Sequence, residues 1–307
     1  MKNINRLTKW RHLSSAISVA VVILSLSIIA VKGFNWGLDF TGGVVAEVTM
    51  SPKITASEIQ PLMNAASKQD VSVISAGEPG RWVIRYGLPD SVKNIDSNSA
   101  NTSVLDVKQV LSPLDSHVQL VNSSVVGPQV GQELAEQGGL ALLIAMLCIL
   151  GYLSYRFEWR LAAGSLCALV HDVIFVLAFF SLSQMEFNLT VLAAILAILG
   201  YSLNDSIIIA DRIREVLIAK PNAKTVDVNN EAVLATFSRT MVTSGTTLLT
   251  VIALWIMGGS PLEGFSIAMF IGILTGTWSS ISVGTVLPEK LGLLPEHYKV
   301  EALPETP

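Results

Sequence analysis

Six stretches of the chain run almost free of charge for the length of a membrane crossing: residues 13–31, 138–155, 161–182, 187–210, 240–257 and 264–287. Each is close to the roughly 20 residues an α-helix needs to cross the hydrocarbon layer. The pattern predicts six transmembrane helices. His171 and Asp172 interrupt the third, and Asn204 and Asp205 the fourth. A basic segment, residues 1–12, precedes the first, with Lys2, Arg6, Lys9 and Arg11. The apolar core after it is long and no small-x-small cleavage pattern follows, so it reads as an uncleaved anchor.

Between the first two spans the pattern changes. Residues 44–50 alternate as a half-buried strand does. Residues 55–68 place Ile59, Leu62, Met63 and Ala66 on one helical face, with Thr55 or Ser57 as cap. Residues 71–75 and 81–86 read as strands around a Gly- and Pro-containing turn at 77–80. A polar loop at 90–103, a helix at 105–111 and a strand at 117–126 complete the segment. The order β-α-β-β-α-β is that of a ferredoxin-like sandwich. The expected fold is thus a polytopic α-helical membrane protein with six transmembrane helices and a small α+β ferredoxin-like domain between helices 1 and 2. The expected division is a tail at 1–12, a first helix at 13–34, the external domain at 35–135, a five-helix bundle at 136–288 and a tail at 289–307.

Composition agrees with the pattern. Hydrophobic residues make up 51% and charged residues 14%, against roughly 25% charged in soluble domains, and mean hydropathy is +0.55. The net charge of −4 averages over two aqueous sides and decides little. The external segment lacks the basic face of a nucleic-acid binder. Cys148 and Cys167 lie in apolar runs and are expected as small buried hydrophobes. There is no phosphate-binding GxxxxGK[ST] loop, metal-ligand cluster or nucleophile set, so no enzyme and no metal or organic cofactor is expected. The short loops at 154–160 and 211–239 and both tails carry Lys and Arg, while those at 183–186 and 258–263 carry none. That asymmetry puts both termini in the cytoplasm and residues 35–135 outside.

The residues with chemical potential are few. A carboxylate inside a membrane span is costly and marks a functional candidate. Asp205 lies about 25 Å along its helix at 1.5 Å per residue, with Asn204 beside it. Its charged form needs a cation, and Arg239, at the start of the fifth span, is the natural one. Thr243, Thr246, Thr247 and Thr250 follow Arg239 as a hydroxyl stripe, equally consistent with helix packing and with a hydrated path. His171 and Asp172 fall near mid-membrane, some 100° apart on their helix, so they are not expected to share a partner. Asp211, Arg212, Arg214 and Glu215 read as an interfacial anchor. Ala268, Gly272, Gly276, Ser280 and Gly284 recur every four residues, a ladder for close helix approach. Gly37, Asp39, Gly42 and Gly43 mark a hinge where span and external domain join, with Asp39 read as a turn or cap residue.

Four stretches then carry a resemblance: FNWGLDFTGG at 34–43, VGPQVG at 126–131, YSLNDSIIIADRIRE at 201–215 and SRTMVTSGTTLL at 238–249. Together, in order and across nearly the whole chain, they resemble the SecF family. These are the smaller membrane subunits of the SecDF translocase accessory complex, in the resistance–nodulation–division superfamily. The resemblance implies a bacterial inner-membrane location with residues 35–135 periplasmic. It implies obligate pairing with SecD, action beside the SecYEG channel, YajC as an associate and unfolded secretory polypeptide as substrate. It also implies drive by the proton gradient, with sodium left open as the ion. By the family's motif, Asp205 is the proton-pathway carboxylate and Arg239 its partner. Asn204, His171, Asp172, Thr243, Thr247 and Asp211 are secondary candidates. Val216 departs from the pattern, where Asn is common. No SecD half is fused to the chain, so it is expected to be incomplete alone. Two rival readings stand beside this one: a purely structural assembly subunit, and a proton-driven small-molecule exporter of the same superfamily.

Overall fold

A computed structural model describes residues 2–69, 71–76, 79–87 and 105–298. The predicted loop at 90–103 and residues Gly77 and Glu78 of the predicted turn lie outside the described residues. In chain order the elements are α1 (Lys2–Lys32), α2 (Leu38–Thr41), β1 (Gly43–Thr49), α3 (Ala56–Ser67), β2 (Ser72–Ser75), β3 (Arg81–Tyr86), α4 (Val107–Leu111), β4 (Gln119–Val126), α5 (Pro128–Arg156), α6 (Trp159–Ser183), α7 (Leu189–Ala219), α8 (Thr225–Met257) and α9 (Ser260–Lys290), followed by a 3-10 turn, Pro295–Tyr298. Helices α1 and α5 to α9 are long and apolar enough to cross a membrane, which makes six.

The four strands pair in the order β2-β3-β1-β4, every neighbour antiparallel. With α3 and α4 in the connections, this is the predicted ferredoxin-like arrangement. The two-residue period of β1 turns Val44, Ala46 and Val48 to one face. There they meet Ile84 and Tyr86 of β3, Ile59 and Met63 of α3, and Val107 and Leu111 of α4. Thr55 starts α3, and its backbone N–H donates to Glu58 Oε2 at 2.8 Å, so the predicted cap is present. Asp115 closes the far end of the sheet by accepting from the His117 and Ser51 N–H groups at 2.8 and 2.7 Å. These bonds hold its carboxyl below the usual carboxylate range.

The helices divide into an inner and an outer set. Over their apolar windows α6 and α9 are each 56% buried and α7 44%, against 22% for α1, 17% for α8 and 11% for α5. Three helices therefore form the centre and three surround it. Close approach comes from the small-residue ladder on α9: a side chain at Gly272 would strike Ile198, and one at Gly276 would meet Ser202 and Asp172.

Most departures from the sequence expectation concern helix length. The basic segment 1–12 is the first part of α1, not a separate tail. Its Arg11 is fully buried and donates to Asn230 Oδ1 at 3.0 Å, Thr285 Oγ1 at 2.9 Å and Glu289 Oε2 at 3.0 Å. Residues 128–135, assigned above to the external domain, are the first turns of α5. The expected loop at 211–239 shrinks to residues 220–224, because α7 and α8 both continue past their apolar runs. Arg239 consequently lies inside α8 rather than at its start. Hydropathy reports where the apolar stretch ends, whereas a helix continues as long as its backbone bonds are met. Cys148 and Cys167 are exposed on the outside of the bundle, not buried in it. An apolar run can face lipid as readily as a protein core, so hydrophobicity alone did not place them.

Truncating Ile84, fully buried at the centre of the sheet domain, tests the predicted core. Ile84→Ala is expected to destabilise that domain by about 2–5 kcal/mol. Faster amide exchange in β1 and β3, with unchanged protection in α6, α7 and α9, checks it.

Candidate functional site

Helix α7 carries the polar residues of the bundle centre, and both of its ends are fixed. At the end facing the sheet domain, Asn188 accepts from the Val191 N–H at 3.1 Å through its side chain. At the other end, Asp211 accepts from Arg156 at 2.6 Å, and Arg212 pairs with Glu215 at 2.9 Å. Asp211, Arg212 and Glu215 thus sit on a continuing helix and brace it against α5 and against itself.

Two carboxylates lie in the interior between these ends, in opposite circumstances. Asp172 on α6 is fully buried. Its Oδ2 accepts from Ser202 of α7 at 2.6 Å and from Ser279 of α9 at 2.9 Å. Its Oδ1 lies 3.0 Å from Nδ1 of His171. Among the described residues the adjacent pair bond each other and share no third partner, so the 100° separation holds for partners on other helices. Their Cα–Cβ directions diverge, but both side chains are long enough to bend together. His171 also borders an apolar cavity of about 360 Å³ with Ile17, Phe175, Leu274 and Trp278. Ser202 and Ser279 were not singled out from the sequence. A serine in an apolar helix is too common to signal a role until its partner is known.

Asp205 on α7, one turn beyond Ser202, is 1% exposed. Neither of its carboxylate oxygens has a hydrogen-bond partner among the described residues. Ser244 and Arg239, both on α8, are the polar groups within interaction range of it. The Ser244 hydroxyl is already engaged with Thr277 at 2.8 Å and Tyr201 at 3.2 Å. The expected direct pairing of Asp205 with Arg239 is not made among the described residues, since Arg239 is exposed on the outer side of α8. Asn204 is exposed as well and points away from its neighbour.

The hydroxyl stripe on α8 behaves as packing chemistry. Thr243, Thr246, Thr247 and Thr250 each donate to carbonyls one turn back on their own helix, at 2.7 to 3.2 Å. With Arg239, the exposed members of this stripe give α8 a polar face directed away from the bundle.

The glycine-rich join is fastened rather than loose. The Gly37 N–H donates to the Phe187 carbonyl and the Phe187 N–H to the Asn35 carbonyl, both at 2.8 Å. A side chain on Gly37 would collide with Asn188 and Phe187. Gly42 takes a φ of +74°, which a residue with a side chain rarely adopts, and Gly43 follows it into β1. Asp39 caps a helix as expected, but a distant one: its Oδ2 accepts from the Leu189 N–H of α7 at 3.0 Å.

The contrast between the two carboxylates predicts opposite stability effects. Asp172→Ala removes two interhelical bonds worth about 0.6–1.7 kcal/mol each and is expected to lower the thermal midpoint of the purified protein in detergent. Asp205→Asn removes a buried charge that has no hydrogen-bond partner among the described residues and is expected to leave the midpoint unchanged or raise it.

Comparison with known proteins places this arrangement. The profile of the SecD/SecF protein export membrane protein C-terminal region matches residues 106–292, and that of the SecD/SecF GG motif matches residues 27–54. The chain is 39% identical to the protein translocase subunit SecF of Vibrio alginolyticus over 94% of its own length and 90% of that protein's. It is 38% identical to SecF of Escherichia coli O157:H7 over 94% and 88% of the two chains. It superposes on the crystal structure of SecDF, a translocon-associated membrane protein from Thermus thermophilus, with a TM-score of 0.77 and 30% identity. The overlap covers 91% of this chain and 37% of that longer one. With six membrane-length helices, a GG-motif junction and an export-protein C-terminal region in one chain, this protein belongs to the SecF family of protein translocase subunits.

Proposed function

We propose that this chain is a proton-motive-force-driven subunit that works with SecD beside the SecYEG channel, with YajC as an associate. It assists export of unfolded polypeptide across the bacterial inner membrane, with both termini cytoplasmic and the sheet domain periplasmic. The observation that carries this reading is the state of Asp205: buried, mid-helix and without a hydrogen-bond donor among the described residues. A carboxylate kept that way is costly as an anion and comfortable when neutral. A group balanced between those forms by water access or an approaching cation is what a proton carrier requires. Arg239 is that cation, reaching Asp205 in one state and releasing it in another.

The outward polar face of α8 supports SecD as the partner. A face bearing Arg239, Thr243, Thr246 and Thr250 is unfavourable against lipid and is met by a second protein. The apolar surfaces of α5 and α8 are also the least buried of the six helices. For His171 and Asp172 the observations favour the structural reading instead. Asp172 has donors from α6, α7 and α9, and a satisfied network of this kind holds helices together.

The test is export of a secretory precursor into vesicles containing this chain with SecD, with and without a proton gradient. Asp205→Asn is expected to assemble with SecD and lose the gradient-dependent stimulation. Full stimulation in that variant overturns the proton role. Collapsing sodium and proton gradients separately identifies the ion.

A further inference from the structure

Among the described residues, one side chain of the junction, that of Asp39, hydrogen-bonds the Asp205-bearing helix. We propose that Asp39 is the positioning residue that couples the sheet domain to α7, by capping that helix from the junction that leads into β1. The inference rests on the proton-driven reading above, and its test reads geometry independently of transport.

The junction touches the bundle at several points, and their targets differ. Lys32 and Asn35 donate to the Leu182 and Gln184 carbonyls at 3.2 and 3.0 Å, and Ser181 donates to the Gly33 carbonyl at 2.7 Å. All of these end on α6 or on the loop after it. Trp36 bridges to Phe187 in that same loop, and Phe34, Trp36, Phe40, Phe180 and Phe187 pack their rings around it. From the sheet itself, Arg85 of β3 reaches Glu186 at 3.0 Å. Among the described residues, Asp39 is the junction side chain that bonds α7 itself, 150 positions along the chain.

The bond is placed to matter. The first N–H groups of a helix have no partner within it. Asn188 takes that of Val191, and Asp39 takes that of Leu189. A carboxylate is also favoured at the positive end of the helix dipole. A tilt or axial shift of α7 when Asp205 changes charge moves the Leu189 amide against Asp39. Asp39 sits in α2, whose last residue leads through Gly42 directly into β1, one of the two inner strands of the sheet. A side chain on Gly131 of α5 would strike the Phe40 carbonyl and the Gly42 amide, so α2 is backed closely from the other side. Motion of α7 therefore has a hydrogen-bonded route to β1 that bypasses the loop.

Hydrogen exchange of the full chain with SecD in lipid nanodiscs tests this. In the parent chain, Asp205→Asn is expected to change exchange at both 189–191 and 37–43. Asp39→Ala alone is expected to speed exchange at 189–191 about tenfold, the scale of a lost helix cap. In the Asp39→Ala background, Asp205→Asn is expected to leave 37–43 unchanged, while Asp39→Asn, which keeps an acceptor, restores the response. Leu189→Pro removes the donor instead, at a first-turn position where proline is tolerated, and is expected to match Asp39→Ala. It keeps the test open should Asp39→Ala fail to accumulate. An equal response at 37–43 with and without the Asp39 bond overturns the proposal. So does no response to Asp205→Asn in the parent chain. Full gradient-dependent stimulation of export by Asp205→Asn with these exchange results intact counts against the proton reading alone.

Discussion

The carboxylate of Asp172 stands fully buried where α6, α7 and α9 meet. Inside a bilayer every polar group must find its partner within the protein. Asp172 does so through one serine on each neighbouring inner helix and the histidine beside it. That requirement brings the helices close enough for serine-length bonds. Gly276, facing Ser202 and Asp172 without room for a side chain, is what allows the approach. The outer helices α1, α5 and α8 are arranged around this centre, and Arg11 pins the start of α1 to α8 and α9 with three further bonds.

Against that satisfied centre Asp205 stands out. It shares the helix and the depth of burial of Ser202, yet neither oxygen has a hydrogen-bond partner within 3.5 Å among the described residues, with Ser244 the hydroxyl within range. The cation within range lies on the outer helix α8, on a face that turns away from this chain. On the proposed reading, the chain holds one half of a charge relay and a partner completes the surroundings of the other. The same division explains why the threonines after Arg239 bond their own helix: they keep that face polar without requiring a partner inside the chain.

Much of the fold was legible because it follows from local periodicity. The six spans, the β-α-β-β-α-β order and the Thr55 cap each depend on residues a few positions apart. What was not legible depends on pairs far apart. Arg11 looked like one more basic residue before an apolar run, and its partners lie 219 to 278 positions away. Asp39 was recognisable as a cap, but not as the cap of α7. The bond between His171 and Asp172 themselves was not anticipated, because the angle between neighbouring helix positions says nothing of side-chain reach. Asp205 was found because a charge in an apolar run is visible in one dimension, but its lack of a donor is visible only in three.

The two ends of α7 are held differently, and this bears on how the helix can move. At the sheet end, bonds from Asp39 and Asn188 grip backbone amides and define position along the axis. At the other end, Arg156 of α5 pairs with Asp211, each about one-third exposed, and Ile209, Ile213, Val216 and Leu217 pack in a buried apolar cluster with Leu153 of α5. Exposed pairs of that kind are weak and tolerate sliding. On the proposed reading, a charge change at Asp205 acts between an end whose amides are hydrogen-bonded from the junction and an end held by apolar packing, which is non-directional. A helix fastened equally at both ends would resist such a change, and one fastened at neither would not transmit it.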